Sequence, residues 1–213
     1  MKNLIITICL MCLLFATALQ AQYSDTDTRN NLTFGIKAGF NYSNVWDEQG
    51  QDFTADAKVG FVGGAFVGIP IGEYIGVQPE ILLSQKGFQG SGTLLGSSYA
   101  FSRTTTYIDI PLQFQVKPSE YFTILGGPHY SYLVNESYSY TLGPNSYVQE
   151  QAFNADNIRK NIFGFILGAD IYIEHIVISA KLGWDLQENN GDGTSSTPRY
   201  KNQWLQLTGG FKF

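Results

Sequence analysis

Apolar and polar residues alternate along most of this chain with a period of two, and the alternation falls into eight runs. They span approximately residues 32–43, 58–70, 74–86, 105–117, 121–133, 161–173, 175–186 and 203–213. That period is the signature of a strand whose two faces meet different media. The apolar parity gives Phe34, Ile36, Ala38 and Phe40 in the first run, and Ile108, Ile110, Leu112, Phe114 and Val116 in the fourth. In the last run it gives Leu205, Leu207, Phe211 and Phe213. No charge falls on this face in any run. Lys37, Glu80, Lys86, Asp109, Lys117, Asp170, Lys181, Asp185 and Lys212 all fall on the other. The second run is the least regular, because Val62 and Phe66 sit at its polar positions.

The connections alternate long and short. Short ones lie near residues 72, 119 and 174; long ones, rich in Gly, Ser, Asn, Asp and Tyr, cover roughly 44–57, 87–104, 134–160 and 187–202. An even number of strands with short turns on one rim and long loops on the other is the layout of a bacterial outer-membrane barrel. The runs also cover the roughly 9–11 residues a tilted strand needs to cross hydrocarbon. The expected fold is all-β: a closed eight-stranded antiparallel up-and-down transmembrane β-barrel.

Energetics choose the face. A lysine on the lipid side at mid-bilayer costs roughly 2–4 kcal/mol, so the charged parity belongs inside. An eight-stranded lumen is only just wide enough for side chains to fill it. The five lysines must then pair with the four carboxylates, and Gly35, Gly39, Gly64, Gly164, Gly168 and Gly183 leave room for them. The expectation is a polar plug and not a pore. Tyr42, Tyr74, Tyr107, Tyr121, Tyr132, Trp184 and Trp204 lie near run ends and read as interfacial aromatics. A soluble, lipocalin-like ligand-binding barrel is the same pattern turned inside out; the loop asymmetry and the apolar final strand oppose it. Pro79 and Pro111 lie inside runs, where each removes a ladder donor, so a bulge or local break is expected at each.

Composition adds a destination. Residues 1–21 carry Lys2, an apolar stretch from Leu4 to Phe15 and then small residues, the three-part layout of a secretory signal peptide. Both cysteines, Cys9 and Cys12, lie within it, so the exported chain has no thiol and no disulfide. Residues 22–31 read as a short periplasmic segment and 32–213 as the outer-membrane barrel domain. Removing the leader takes the formal net charge from −5 to −6, since Lys2 is its only charged residue. That acidity excludes a nucleic-acid partner.

Four stretches carry a family resemblance: "GFVGGAFVGIPIGEYIGVQPEILLSQKG", "YIDIPLQFQVKP", "YFTILGGPHYSYLV" and "ISAKLGWDL". Together they resemble the PorT-type outer-membrane β-barrel family of Bacteroidetes, most specifically through Gln78–Gly87 and Tyr107–Leu112. The resemblance covers roughly residues 32 to 213 and implies a small eight-stranded barrel. The founding member is linked to type IX secretion and gliding. The shared motifs are barrel parts, so that role does not carry over with them. Pro79 and Pro111 lie inside the shared motifs.

Candidate chemistry is sparse. His129 and Ser131 form a His-x-Ser pair like that of an outer-membrane lipid A deacylase, with Glu136 as the carboxylate. Such a site must face lipid, whereas the parity puts His129 in the lumen. Glu80 with Lys86, and Asp109 with Lys117, suggest acid/base pairs but fit the plug better. Asp47, Glu48, Asp52 and Asp56, and the stretch 188–193, cluster oxygens without an EF-hand spacing. No catalytic residue, metal or cofactor is expected. The chain reads as a structural or interaction protein of the cell surface, with an accessory role in secretion as one reading and a lipid-modifying enzyme as the alternative. The expected partners are outer-membrane lipid, the barrel-assembly machinery and a surface or secretion-system protein. Contact would come through the 134–160 loop with Tyr138, Tyr140, Tyr147 and Phe153. Phe211 and Phe213 resemble the C-terminal aromatic signal read during barrel insertion.

Overall fold

The computed structural model describes residues 28–46, 55–94, 97–142, 145–152, 159–189 and 200–213, with backbone alone for residues 28, 92–94, 97–98, 142 and 145–152. The expected signal peptide lies outside the described residues. A short 3-10 turn, Thr28–Asn30, precedes nine strands. They are β1 (Thr33–Val45), β2 (Asp56–Pro70), β3 (Ile75–Leu94), β4 (Ser97–Ser119), β5 (Phe122–Leu142), β6 (Asn145–Ala152), β7 (Asn161–Ile173), β8 (Ile176–Asp185) and β9 (Asn202–Lys212).

Eight of these close on themselves in the order β1-β2-β3-β4-β5-β7-β8-β9, each antiparallel to its neighbours. The seam is the β1–β9 ladder, eleven pairs from Gly35 opposite Lys212 to Val45 opposite Asn202. Closure leaves no unpaired edge in the ring, which removes the main liability of a sheet. The chain end takes part in it. Phe213 N–H donates to the Phe34 carbonyl at 2.8 Å and Lys212 N–H to that of His175 at 2.7 Å. The His175 ring stacks on Phe211 at 5.3 Å, and Phe213 meets Phe211 edge-on at 5.4 Å.

The short turns all lie on one rim. Two of them have two residues each, Glu120 and Tyr121 between β4 and β5 and Glu174 and His175 between β7 and β8, and Glu174 takes a left-handed φ of 53°. Tight hairpins favour positive φ because the primed turns match strand twist.

The opposite rim departs from expectation. The segments 87–104 and 134–160 read as loops, yet β3, β4 and β5 run for 20, 23 and 21 residues. That is about twice what a bilayer crossing needs. The β3–β4 ladder continues to Leu94 opposite Ser97. Above Tyr132, β5 leaves β7 and pairs instead with β6, from Asn135 opposite Ala152 to Leu142 opposite Asn145. Gly, Ser, Thr, Gln and Asn make up much of these extensions, so their sequence lacks the sustained aliphatic alternation of the belt.

The prolines cause breaks without bulges. The β3–β4 ladder skips Glu80 and Ile81, opposite Pro111 and Ile110, and resumes at Leu82 and Asp109 in the same register. The β2–β3 ladder likewise skips Pro79 and Gln78 and keeps register. Register shifts fall elsewhere, between Ala57 and Val62, Thr106 and Tyr107, and Val116 and Ser119.

The apolar parity faces outward: Ile36, Phe61, Ile81, Phe114, Phe163, Ile178 and Phe211 are all exposed. Tyr42, Tyr74 and Tyr121 join them. Two of the aromatics read as interfacial do not. Tyr107 and Trp204 point into the lumen and are buried there, as are Val62 and Phe66. Glycines opposite make the room. A Cβ on Gly35 would lie 2.2 Å from the Phe66 ring, and one on Gly183 would lie 2.2 Å from Trp204. Replacing Gly35 with valine should therefore destabilise the barrel by roughly 1–3 kcal/mol through overpacking. The denaturant midpoint of protein refolded in micelles measures this; Phe66→Leu in the same chain should recover part of the loss, and an unchanged midpoint would contradict the packing.

Candidate functional site

The lumen is filled in levels. In the level nearer the short-turn rim, Glu80 on β3 is the hub. Its Oε1 accepts from Lys181 Nζ at 2.7 Å, Lys37 Nζ at 2.8 Å and Gln78 Nε2 at 2.7 Å. Lys37 Nζ also stands 4.0 Å from Asp170 Oδ2 and 3.4 Å from Ser179 Oγ. Gln78 Nε2 donates more weakly to Asp170 at 3.3 Å, and Gln115 Nε2 donates to Gln78 Oε1 at 2.7 Å. Two lysines face two carboxylates, so the level is neutral in sum. Alternation places these groups inward; the stagger of the strands brings β1, β3, β7 and β8 to one height.

The next level centres on Lys86. Its ammonium lies 3.7 Å from the Trp204 ring centroid and 5.0 Å from that of Tyr107. It reaches Asp109 Oδ2 at 3.0 Å and Ser131 Oγ at 3.3 Å. Asp185 Oδ2 accepts from Asn202 Nδ2 at 2.6 Å. Between the two levels, Asn41 Nδ2 donates to Ser84 Oγ at 2.9 Å, and Gln206 Nε2 to Asn41 Oδ1 at 3.2 Å.

A third level caps the far end. Arg103 pairs with Glu136, and its guanidinium lies 5.1 Å from the Tyr200 ring. Tyr200 packs edge-on to Phe88 at 4.9 Å, and Val45 completes the buried cluster. Asn189 N–H donates to the Tyr200 carbonyl at 3.0 Å, and Tyr200 N–H donates to Asn189 Oδ1 at 3.2 Å. The two ends of the last long connection are thereby pinned over the lumen.

Two expected pairings are corrected. Glu80 pairs with Lys37 and Lys181 and not with Lys86; Asp109 pairs with Lys86 and not with Lys117. Lys117 Nζ instead donates to the Arg29 carbonyl at 2.8 Å. Lys212 is only partly buried, at the short-turn mouth, 5.1 Å from the Tyr172 ring centroid. Alternation assigns a face, but cross-barrel partners depend on stagger, which a single strand does not reveal.

The His-x-Ser pair is assembled: His129 Nε2 lies 3.0 Å from Ser131 Oγ. Its carboxylate is not Glu136, which Arg103 holds. Ser131 Oγ instead donates to Asp109, and Asp185 Oδ1 lies 3.7 Å from the same His129 Nε2. A nucleophile relay needs serine on one ring nitrogen and carboxylate on the other. Here both crowd Nε2, while Nδ1 is packed on Gly164. Both residues are buried in the lumen, away from the outward face an acyl chain would approach. Among the described residues, no group of His, Cys, Asp or Glu is placed to hold a metal. Asp47, Glu48, Asp52 and 190–193 lie outside the described residues, as do Phe153 and the Tyr147 side chain; Asp56 is exposed.

A family model described as an outer membrane protein beta-barrel domain matches residues 20–188. The chain belongs to this family. As an outer-membrane barrel, it turns its apolar belt to lipid and, by the loop asymmetry of such barrels, its short turns to the periplasm. Among solved structures it is similar to Ail, the attachment invasion locus protein of Yersinia pestis, at 14% identity and TM-score 0.46, over 85% of this chain and 98% of that one. It is also similar to Neisserial surface protein A, at 10% identity and TM-score 0.48, over 84% of this chain and 97% of that one. OprG of Pseudomonas aeruginosa follows at 16% identity and TM-score 0.37, covering 85% and 95%. No curated protein matches the sequence.

Glu80 is the residue whose loss should cost most. Glu80→Gln leaves two buried ammonium groups facing a neutral amide, and removing one partner of a buried pair typically costs about 3–5 kcal/mol. Adding Lys181→Met to that chain should restore part of the stability, because one uncompensated charge goes with it. Denaturant midpoints of the refolded barrel test both. A Glu80→Gln loss below about 1 kcal/mol, where exposed pairs lie, would contradict the hub.

Proposed function

We propose that this outer-membrane barrel is a structural and interaction protein of the cell surface, with no catalytic role, acting through the β3–β4 and β5–β6 extensions. The observation that carries the reading is the filled lumen. Every strand of the ring contributes an inward side chain that is at most 4% exposed: Lys37, Phe66, Glu80, Gln113, Leu125, Asp170, Lys181 and Thr208. A solute has no path there, so a diffusion role is disfavoured and the outer surface is what remains for contact. Binding residues collect where a rigid scaffold projects chain into solvent. Paired hairpins project it with less conformational freedom to lose than loose loops.

The resemblance to PorT-type barrels of Bacteroidetes supports a finer reading, an accessory to a secretion apparatus. A cleavable leader at residues 1–21 would export the chain, and the Phe211 and Phe213 tip would be read by the assembly machinery. The test is a photo-crosslinking residue at Tyr138, an exposed position on the β5 extension. In living cells it should give an adduct of one discrete mass. The same residue at Ile171, in the lipid belt, should not give that adduct. No adduct from Tyr138, or the same one from both positions, would contradict the reading.

A further inference from the structure

Beyond the ring, β3, β4, β5 and β6 continue as a four-stranded sheet. β6 is its last strand. All eight of its residues, Asn145–Ala152, pair with β5 without a register shift, and among the described residues no strand pairs with its other side. Strand geometry turns every second N–H and C=O of such an edge away from its one neighbour. We propose that this edge takes an added strand, an extended segment of a partner protein that pairs antiparallel with β6. The inference rests on the surface role proposed above and gives that role a mode of contact and a class of partner.

The edge is unguarded. Exposed strand edges are ordinarily protected by lysine, proline, a bulge or a covering element. The β6 sequence, NSYVQEQA, holds no lysine, proline or glycine, and Glu150 is its one charge. The opposite edge of the same sheet is poorer. There β2 stops pairing with β3 at Gln89, and the stretch beyond contains Gly90 and Gly92, which weaken a strand.

The two faces of the sheet select the chemistry of the added strand. Paired residues share a face, so the lumen-side face runs outward from Arg103 and Tyr138 to Phe101 and Tyr140. On β6, Tyr147 holds the register position opposite Tyr140. Tyr138 is exposed and Tyr140 partly so. The other face carries Ser102 opposite Ser139 and Thr104 opposite Ser137. A strand laid along β6 continues both sets of rows. Aromatic or β-branched residues at alternate positions would extend the tyrosine face, and threonine or serine between them the hydroxyl face; such cross-strand pairs are what stabilises a sheet.

Direction decides between a partner and a second copy. Copies of this chain in one membrane differ by a rotation about its normal, so their β6 strands descend the same way. A twofold then sets each outward N–H against the same N–H of the copy, and the antiparallel ladder, the more stable of the two, is closed to them. A segment of another protein can meet the edge in the antiparallel sense, the mode of recognition by strand addition.

The experiment uses the mature chain, isotope-labelled for NMR, in a non-ionic maltoside micelle. The probe is a short acetylated peptide in which tyrosine and valine alternate with threonine between terminal lysines. Its addition should slow amide exchange saturably, and at least tenfold, at every second residue of β6, because only the N–H groups turned away from β5 gain acceptors. The residues between them, and the β1–β9 seam, should stay unchanged. The same peptide N-methylated throughout, with no N–H to donate, should leave exchange as it was. No slowing, equal slowing of neighbouring β6 residues, or an equal effect of the methylated peptide overturns strand addition. Alternating protection that appears without peptide and grows with protein concentration makes the occupant a second copy and overturns the assignment as well. The Tyr138 crosslink reads the surface role separately: an adduct in cells with β6 unprotected removes strand addition and leaves that role standing.

Discussion

One carboxylate oxygen, Glu80 Oε1, accepts from two lysines and a glutamine contributed by three strands of the ring. The rest of the barrel is arranged so that this can happen. Lipid outside leaves the charged parity nowhere to go but inward, and a narrow lumen forces opposite charges into contact. Once Lys37, Glu80, Asp170 and Lys181 meet, the register of β1, β3, β7 and β8 is constrained. A slip of one residue would turn a charge into lipid and an isoleucine or phenylalanine into the network.

Packing follows from the same constraint. Phe66 and Trp204 lie over the neighbouring strands inside the lumen only because Gly35 and Gly183 present no Cβ to them. Trp204 then serves as an aromatic face for Lys86, so an apolar side chain helps hold a buried charge. The prolines fit the scheme too. Pro79 and Pro111 interrupt their ladders without shifting register, and Glu80 falls inside the β3–β4 interruption and next to the β2–β3 one. The apolar cluster of Val45, Phe88 and Tyr200 covers the network on the outer side, and Arg29 with its turn lies against the periplasmic mouth.

Much of this was legible in the sequence. Period two with charges confined to one parity was enough for the eight strands of the ring, inward Lys37 or Asp185 and outward Ile36 or Phe163. The extent of β3 to β5 was not, because their extensions are rich in Gly, Ser and Thr and lack the sustained aliphatic alternation of the belt. Tyr107 and Trp204 were misread as interfacial because an aromatic near a strand end looks the same whichever way it points; parity alone puts both with the lumen set. The salt-bridge partners and the carboxylate beside Ser131 were out of reach, since each depends on stagger between strands distant in sequence.

The central claim is that interlocked side chains close the barrel. Electrical recording from the purified protein in a planar bilayer tests it most directly. The account predicts no sustained ion conductance at moderate voltage. A steady open channel in the unmodified protein would contradict it.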